Sequence, residues 1–359
     1  MKLSKFNVIP AAIVASFSLA LSAGAAPVKV TLQTTTEDVI TGWVTKGNAT
    51  TLWVSTNEQA PGAPMPRTRI ANIVWEDPDD WKEGMKYWTR RDYVKGADAF
   101  AKLAKEYEGL AQVEDSIGAK AKYYQGECLR RSGKYAELLD VYDEVRRVSL
   151  SDAYKQQIAL FNFWGHVGKK MWKPLKLITD RFEIPESEVP SHTVPPTTQP
   201  LKKIDAGLMI QVAYMRGIAT EMLGREEHKE AVAALDPQVP ETQVAVDQAW
   251  AHVKESMNDY ARVFTLTYMS ERRLAQEAME RSMAILKEDP SIKDNYQMQL
   301  EAYALASFYK DLFGKGAVPA EFTAFLTEPK PPESTSEEAE EEEETEEEAE
   351  EDPAGDAAA

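Results

Sequence analysis

Hydrophobic and polar positions alternate with a short period near the start of the chain and with a helical period through most of the rest. Val28 to Thr34, Val39 to Thr45, Thr50 to Ser55 and Arg69 to Trp75 are short runs rich in Val, Thr, Ile and Trp, the residue types that suit a pleated, half-buried strand. Lys46-Gly47-Asn48 supplies a hairpin turn and Pro61-Gly62-Ala63-Pro64 a longer loop. Residues 26–77 are therefore expected to form a small all-β domain. Trp43 falls on the opposite pleat to Ile40 and Val44, and Trp53 and Trp75 lie in the neighbouring runs. Large aromatics on both pleats predict that both faces of the sheet are covered. Trp81 and Trp88 follow seven residues apart, and the helix that carries them is expected to pack on the sheet.

From Asp77-Pro78-Asp79-Asp80 to about Phe313 the period is helical. The acidic cluster at its start is not a calcium loop: an EF-hand loop begun at Asp77 needs Gly at its sixth position and Glu at its twelfth, where this chain has Lys82 and Trp88. Asp80 and Glu83 suit the positive end of a helix instead. Gly84 is followed by Tyr87, Gly96 and Phe100, and Gly126, Leu129, Leu138 and Tyr142 stand at the same offsets 42 residues on. Arg91-Asp92-Tyr93 in the first segment corresponds to Gly133-Lys134-Tyr135 in the second. Gln156 to Gly168 with Lys173 to Phe182 reads as a third helical pair. Gly217, Gly224, Ala231 and Leu235 suggest a fourth, with His228 in the place of its turn aromatic. Pro185, Pro190, Pro195, Pro196 and Pro200 mark residues 185–200 as a loop. Val244 to Lys287 is helical with a break near Ser270. A last helix, Asp294 to Phe313, places Tyr296, Leu300, Tyr303, Phe308 and Leu312 on its apolar side and caps the array.

The small-residue and aromatic spacing of the first two segments resembles the tetratricopeptide repeat (TPR), in which a small residue on one helix lets the next helix cross closely while aromatics fill the gaps. The strand rhythm of residues 26–77 resembles SH3-like and Sm-like barrels. The resemblance implies a mainly α chain, with a TPR-like α-solenoid of helical hairpins over residues 78–184 and 201–326 preceded by a small barrel-like β domain. There are departures. The motif's Trp would fall at Asp80, beside Trp81, and its closing Pro is Glu108 in one segment and Leu150 in the other. The 42-residue spacing exceeds the family's roughly 34, which places the extra residues around Gly109 to Gly118. Carried over residue by residue, the family's groove positions are Trp81, Met85, Trp88 and Thr89 in the first segment and Tyr123, Glu127, Arg130 and Arg131 in the second. The resemblance implies a protein or peptide partner there, with the two arginines suited to a carboxylate. The Lys and Asn clamp of the family's chaperone-binding members is absent from these positions.

Composition narrows the function further. The net charge of −18 comes from 41 Lys plus Arg and 59 Asp plus Glu, and 15 of the acids lie between Glu333 and Asp356, where there is no base. The rest of the chain carries 44 acids and 41 bases, so nucleic acid is not an expected partner. Residues 327–359 have the composition of a disordered acidic tail. Lys2 and Lys5 precede an apolar run, Val8 to Leu21, which ends at Ala23-Gly24-Ala25. This is the pattern of a secretory signal peptide over residues 1–25. It predicts export to the periplasm or beyond, without membrane insertion after cleavage. Cys128, the only cysteine, rules out an internal disulfide and is expected to act as a small buried hydrophobe. His166, His192, His228 and His252 include no pair at helical spacing. No metal, nucleotide or redox motif appears, so neither a cofactor nor enzyme activity is expected. The expected function is that of an exported scaffold or adaptor. The alternative is a carbohydrate-binding or carbohydrate-active protein using the N-terminal tryptophans.

Overall fold

The computed structural model describes residues 26–182, 206–267 and 271–332. The predicted signal peptide, the proline-rich loop, Ser270 and the glutamate-rich part of the tail lie outside them. The chain is mainly α-helical with one small antiparallel sheet. It divides into two compact units, Met1–Met171 and Trp172–Ala359. The boundary falls between the two helices of the expected third pair.

In the first unit the strands are β1 (Val28–Thr34), β2 (Val39–Gly47), β3 (Thr51–Ser55), β4 (Ala63–Pro66) and β5 (Ile70–Trp75), in the sheet order β4-β3-β2-β1-β5. Val28, Val30, Leu32, Val44 and Leu52 point to the buried side, as alternation requires. Two details differ from the sequence reading. β2 runs through Gly47, and the turn is made by Asn48, whose Oδ1 accepts from the Thr50 and Thr51 amides at 2.9 and 2.8 Å. The end of the expected proline loop pairs as β4, an edge position where Pro64 and Pro66 sacrifice no ladder bond. Among the described residues nothing covers the other face of the sheet as expected. Val39 is 68% and Val74 58% exposed, and Trp53 is shielded by Lys46, whose ammonium stands 4.5 Å from the ring centroid. Lysine stems cover indoles without a second layer of structure.

Five helices follow: α1 (Asp79–Thr89), α2 (Tyr93–Glu106), α3 (Ile117–Arg131), α4 (Tyr135–Val145) and α5 (Asp152–Gly168). α1, α3 and α5 end alike. The Asp92 amide donates to Tyr87 O at 2.9 Å, Lys134 to Leu129 O at 3.0 Å and Met171 to His166 O at 2.9 Å. The residue before each donor has positive φ: Arg91 at 60°, Gly133 at 76° and Lys170 at 53°. This is the left-handed close that satisfies the last carbonyls of a helix.

The helices cross at small residues. Gly84 faces Phe100, and Gly96 faces Cys128, whose Sγ lies 2.9 Å from where a Cβ would stand. Gly126 faces Phe161 of α5, not Tyr142. Tyr142, the aromatic expected to fill this gap, is half-buried beside Arg146. α5 lies close enough to α3 for Phe161 to take the space.

The extra residues between the first two hairpins form a packed insertion. A 3-10 turn, Glu108–Leu110, leads to Val113, and Leu110 and Val113 are buried. Ser116 donates to Leu110 O at 2.6 Å and accepts from the Ala119 amide at 3.2 Å, capping α3. The missing side chain of Gly47 on β2 makes room for Val113, so the sheet rests on this insertion.

In the second unit α6 (Trp172–Thr179) precedes two long helices, α7 (Ala206–Ala233) and α8 (Pro240–Thr267), then α9 (Arg272–Glu288) and α10 (Tyr296–Phe313). α7 runs straight through Gly224, so the expected fourth hairpin turn is absent. Gly224 is a packing position, where the Val253 amide comes within 2.8 Å of an ideal Cβ. His228 lies inside α7 with its ring 5.0 Å from Trp250. The helical break expected near Ser270 falls on residues outside those described, on whose far side α9 starts after the non-helical Glu271. α10 buries Ala302, Ala306 and Tyr309 rather than the side marked by Tyr296, Leu300 and Tyr303. Close approach favours its small residues, while Phe308 and Leu312 flank the contact. The chain then turns back as a 3-10 segment, Ala320–Leu326, which buries Phe322 among Met279, Met283, Ala306, Tyr309 and Val318.

Gly126→Ala is expected to destabilise the first unit by about 1–3 kcal/mol through overpacking against Phe161. Gly84→Ala, whose Cβ would stand 3.0 Å from Phe100, should cost less because helix propensity returns about 1 kcal/mol. Urea unfolding of the two variants checks the order.

Candidate functional site

The groove positions implied by the repeat resemblance fall on α1 and α3, and the structure brings most of them into one aromatic and charged cluster. Trp81 is buried edge-on against Phe100 and Tyr124, with ring centroids 5.6 and 5.7 Å away. Trp88 meets Tyr124 at 5.1 Å and Tyr93 at 5.5 Å. Both indoles therefore pack into the first two hairpins and not beneath the sheet, which corrects the expectation for this helix. Tyr124 of α3 presents a large face to α1, and burying it takes both tryptophans.

Tyr123 is buried against Tyr154 and Phe161, with centroids 4.7 and 5.8 Å away. Glu127, one turn further along α3, has a side chain only 3% exposed. Its Oε1 accepts from Arg130 Nε at 2.8 Å, and its Oε2 accepts from Arg130 Nη2 and Arg131 Nε, both at 3.0 Å. The Arg131 guanidinium also lies 4.7 Å from the Trp88 ring centroid and 5.7 Å from that of Tyr93. The two arginines thus already hold a carboxylate, that of Glu127. Burial pushes the Glu127 carboxyl up, but the hydrogen bonds and charges of Arg130 and Arg131 outweigh it and hold the group below the usual carboxylate range. Beside it, burial raises the Cys128 thiol to about 12, so this cysteine fills space and is not a nucleophile.

Met85 and Thr89 face away from this cluster. Met85 is half-buried and Thr89 exposed. With Asp77, Trp81, Lys82, Lys86 and Arg90 they line a shallow depression of about 350 Å³ on the outer side of α1.

A second constellation, in the other unit, was not singled out from sequence. Three tyrosines donate to three glutamates: Tyr260 to Glu221 at 2.6 Å, Tyr214 to Glu277 at 2.7 Å and Tyr309 to Glu280 at 2.6 Å. Arg281 donates to Glu221 at 2.9 Å and Arg225 at 2.8 Å. Burial again opposes ionisation of Glu221, and the Arg281 charge with the Tyr260 and Arg225 hydrogen bonds holds its carboxyl low. A cleft of about 360 Å³ opens here, lined by Tyr214, Glu277, Glu280, Arg281 and Phe322 among others. Of its acids, Glu221, Glu277 and Glu280 already accept hydrogen bonds within the unit, and Glu321 is ion-paired with Lys287 at 3.6 Å. The only local signal is the spacing of Glu221 with Arg225 and of Arg273 with Glu277, which is common on exposed helices. Among the described residues no group of His, Cys, Asp or Glu is arranged to hold a metal ion, and no helix is long and apolar enough to cross a membrane.

No family model, curated protein or solved structure matches the chain.

Glu127→Ala should cost about 3–5 kcal/mol, because it strands two arginines in a partly buried cluster. The depressed pKa of Glu127 stabilises the fold above the ordinary carboxylate pKa of about 4.3. This contribution is lost as pH falls through the folded value. Urea midpoints measured from neutral to acid pH should therefore fall less steeply for Glu127→Ala than for the parent chain. The Cys128 thiol should resist alkylation until the unit unfolds.

Proposed function

We propose that this chain is an exported, non-enzymatic adaptor that binds a protein or peptide partner in the cell envelope, built on a TPR-like solenoid with an SH3-like β domain in front. The observation that carries the reading is the shared left-handed close of α1, α3 and α5, each followed by a helix that starts four residues after the last helical one. Packing of α2 on α3 and of α4 on α5 supports stacked hairpins, as do the crossings at Gly96 and Gly165. The sheet order, with a 3-10 turn at Arg67–Arg69 between β4 and β5, supports the SH3-like resemblance. Within this reading Arg130 and Arg131 are structural, and the α1 depression around Met85 is the surface left for a partner. The lysine-preceded apolar run and the small-residue exit at its end support export.

A second reading, carbohydrate binding, rests on Trp43 and Trp53, which stay half-exposed on the open side of the sheet. Glycan-array binding that quenches tryptophan fluorescence and disappears on Trp43→Ala would favour it.

Co-purification from the native envelope should return a reproducible partner. That partner should be lost on Met85→Glu while the circular dichroism melt stays within a few degrees of the parent. Recovery of the chain alone would count against the adaptor.

A further inference from the structure

We infer that the depression on α1 takes an acidic amphipathic segment of a partner protein, a conclusion that rests on the adaptor reading and names the chemistry of what is bound. Many exposed bases on the helices of the first unit have a counter-charge: Lys95 with Asp92, Lys102 with Asp80, Lys134 with Glu137, Lys155 with Asp152 and Lys169 with Asp140. Lys86, Arg90 and Arg91 are exposed and make no ion pair among the described residues, as is true of Lys105, Arg147 and Lys170, but Lys86 and Arg90 stand one turn apart beside an apolar strip. Glu83, the acid best placed to pair with Lys86 along the helix, instead accepts from the Tyr87 hydroxyl at 3.2 Å.

The spacing is regular. Lys82, Lys86 and Arg90 stand four residues apart in one row on α1, the first of them paired with Asp79 at 3.0 Å, and Trp81, Met85 and Thr89 form the adjacent row. Both rows line the depression, in which Asp77 is the one acid among the described lining residues. Cations near a helix C-terminus are favoured by the helix dipole alone, but the dipole does not call for a tryptophan and a methionine alongside them. Met85, with the edge of Trp81 that reaches the surface, makes a short apolar strip edged by cations, the complement of a segment whose own apolar row is edged by carboxylates. A partner that offered only anionic charge, such as a nucleic-acid backbone, would use the cations and leave Met85 without a contact.

The test uses the purified full chain and three labelled helical peptides followed by fluorescence anisotropy. One peptide has Leu at alternating three- and four-residue spacings with Glu at the flanking positions, the second has Lys in place of Glu, and the third keeps Glu but replaces Leu by Gln. The Glu–Leu peptide is expected to bind at least about tenfold more tightly than either of the others. Lys86→Glu with Arg90→Glu, an exposed pair whose reversal gives up the helix-dipole contribution and should lower the melt by no more than several degrees, is expected to weaken it by about tenfold. Equal binding of the Lys–Leu or the Glu–Gln peptide, or no effect of the charge reversal, would overturn the inference. So would self-association abolished by the same reversal, which would assign the surface to a second copy. A chain ending at Pro332 that binds the Glu–Leu peptide about tenfold more tightly than the full chain would assign the surface to the chain's own glutamate tail.

The outcomes separate this inference from the adaptor reading. An envelope partner lost on Met85→Glu but kept by the charge reversal leaves the adaptor standing and removes the acidic chemistry. Peptide binding with the expected pattern, but no partner in the envelope, does the reverse.

Discussion

Helix backbones in this protein approach one another where a side chain is missing or small, and the rest of the architecture follows from those approaches. Gly96 admits Cys128, Gly126 admits Phe161 and Gly165 admits Leu139. These contacts bind α2 to α3, α3 to α5 and α4 to α5, so neighbouring hairpins are coupled through the same device. In the second unit Gly217 admits Tyr260, and Gly224 admits the backbone at Val253, which locks α7 against α8 along their length. Interiors packed this densely transmit a single added methyl group to several elements at once.

Close packing also explains why charge is taken inside. Helices this near one another leave long polar side chains little route to water, so Glu127 and Glu221 are ionised in nearly dry surroundings. Each survives there because two arginines reach it, and Glu221 gains a tyrosine hydroxyl as well. A buried carboxylate so compensated adds orientation more than net energy. Glu127 positions Arg131 over Trp88, and the Trp88 ring in turn packs on Tyr124. Residues that a family resemblance marks as a binding surface have here become part of the cluster that holds the first two hairpins together. What remains outward on α1 is the opposite stripe.

The sequence made some of this legible and hid the rest for identifiable reasons. Four strands were readable from alternation, while β4 was hidden by its prolines, which mark loops unless a strand lies at a sheet edge. The turn equivalence of Arg91 and Gly133 was readable from the fixed offset, although only one of them is glycine. Gly224 misled, because a glycine in a helical pattern signals a turn or a close contact with the same letter. On α10 the large apolar residues were spread around the helix, and the buried stripe followed the alanines. Tyr123, Glu127, Arg130 and Arg131 were readable as neighbours on one helix, but not that the acid would bind the bases. The tyrosine–glutamate pairs of the second unit join residues 29 to 63 positions apart, a separation at which one sequence carries no pairing signal.

The insertion between the first two hairpins has an architectural consequence. Surface connections between helices ordinarily tolerate added residues. This one does not, because Leu110 and Val113 form the seat of the β-sheet, and Ser149 and Ser151, just after α4, are tied to Ala111 and Asp115. Residues inserted at that point would part the sheet from its seat and break the tie on the far side. The link from α2 to α3 is therefore of fixed length, and the sheet keeps its place only while that length is kept.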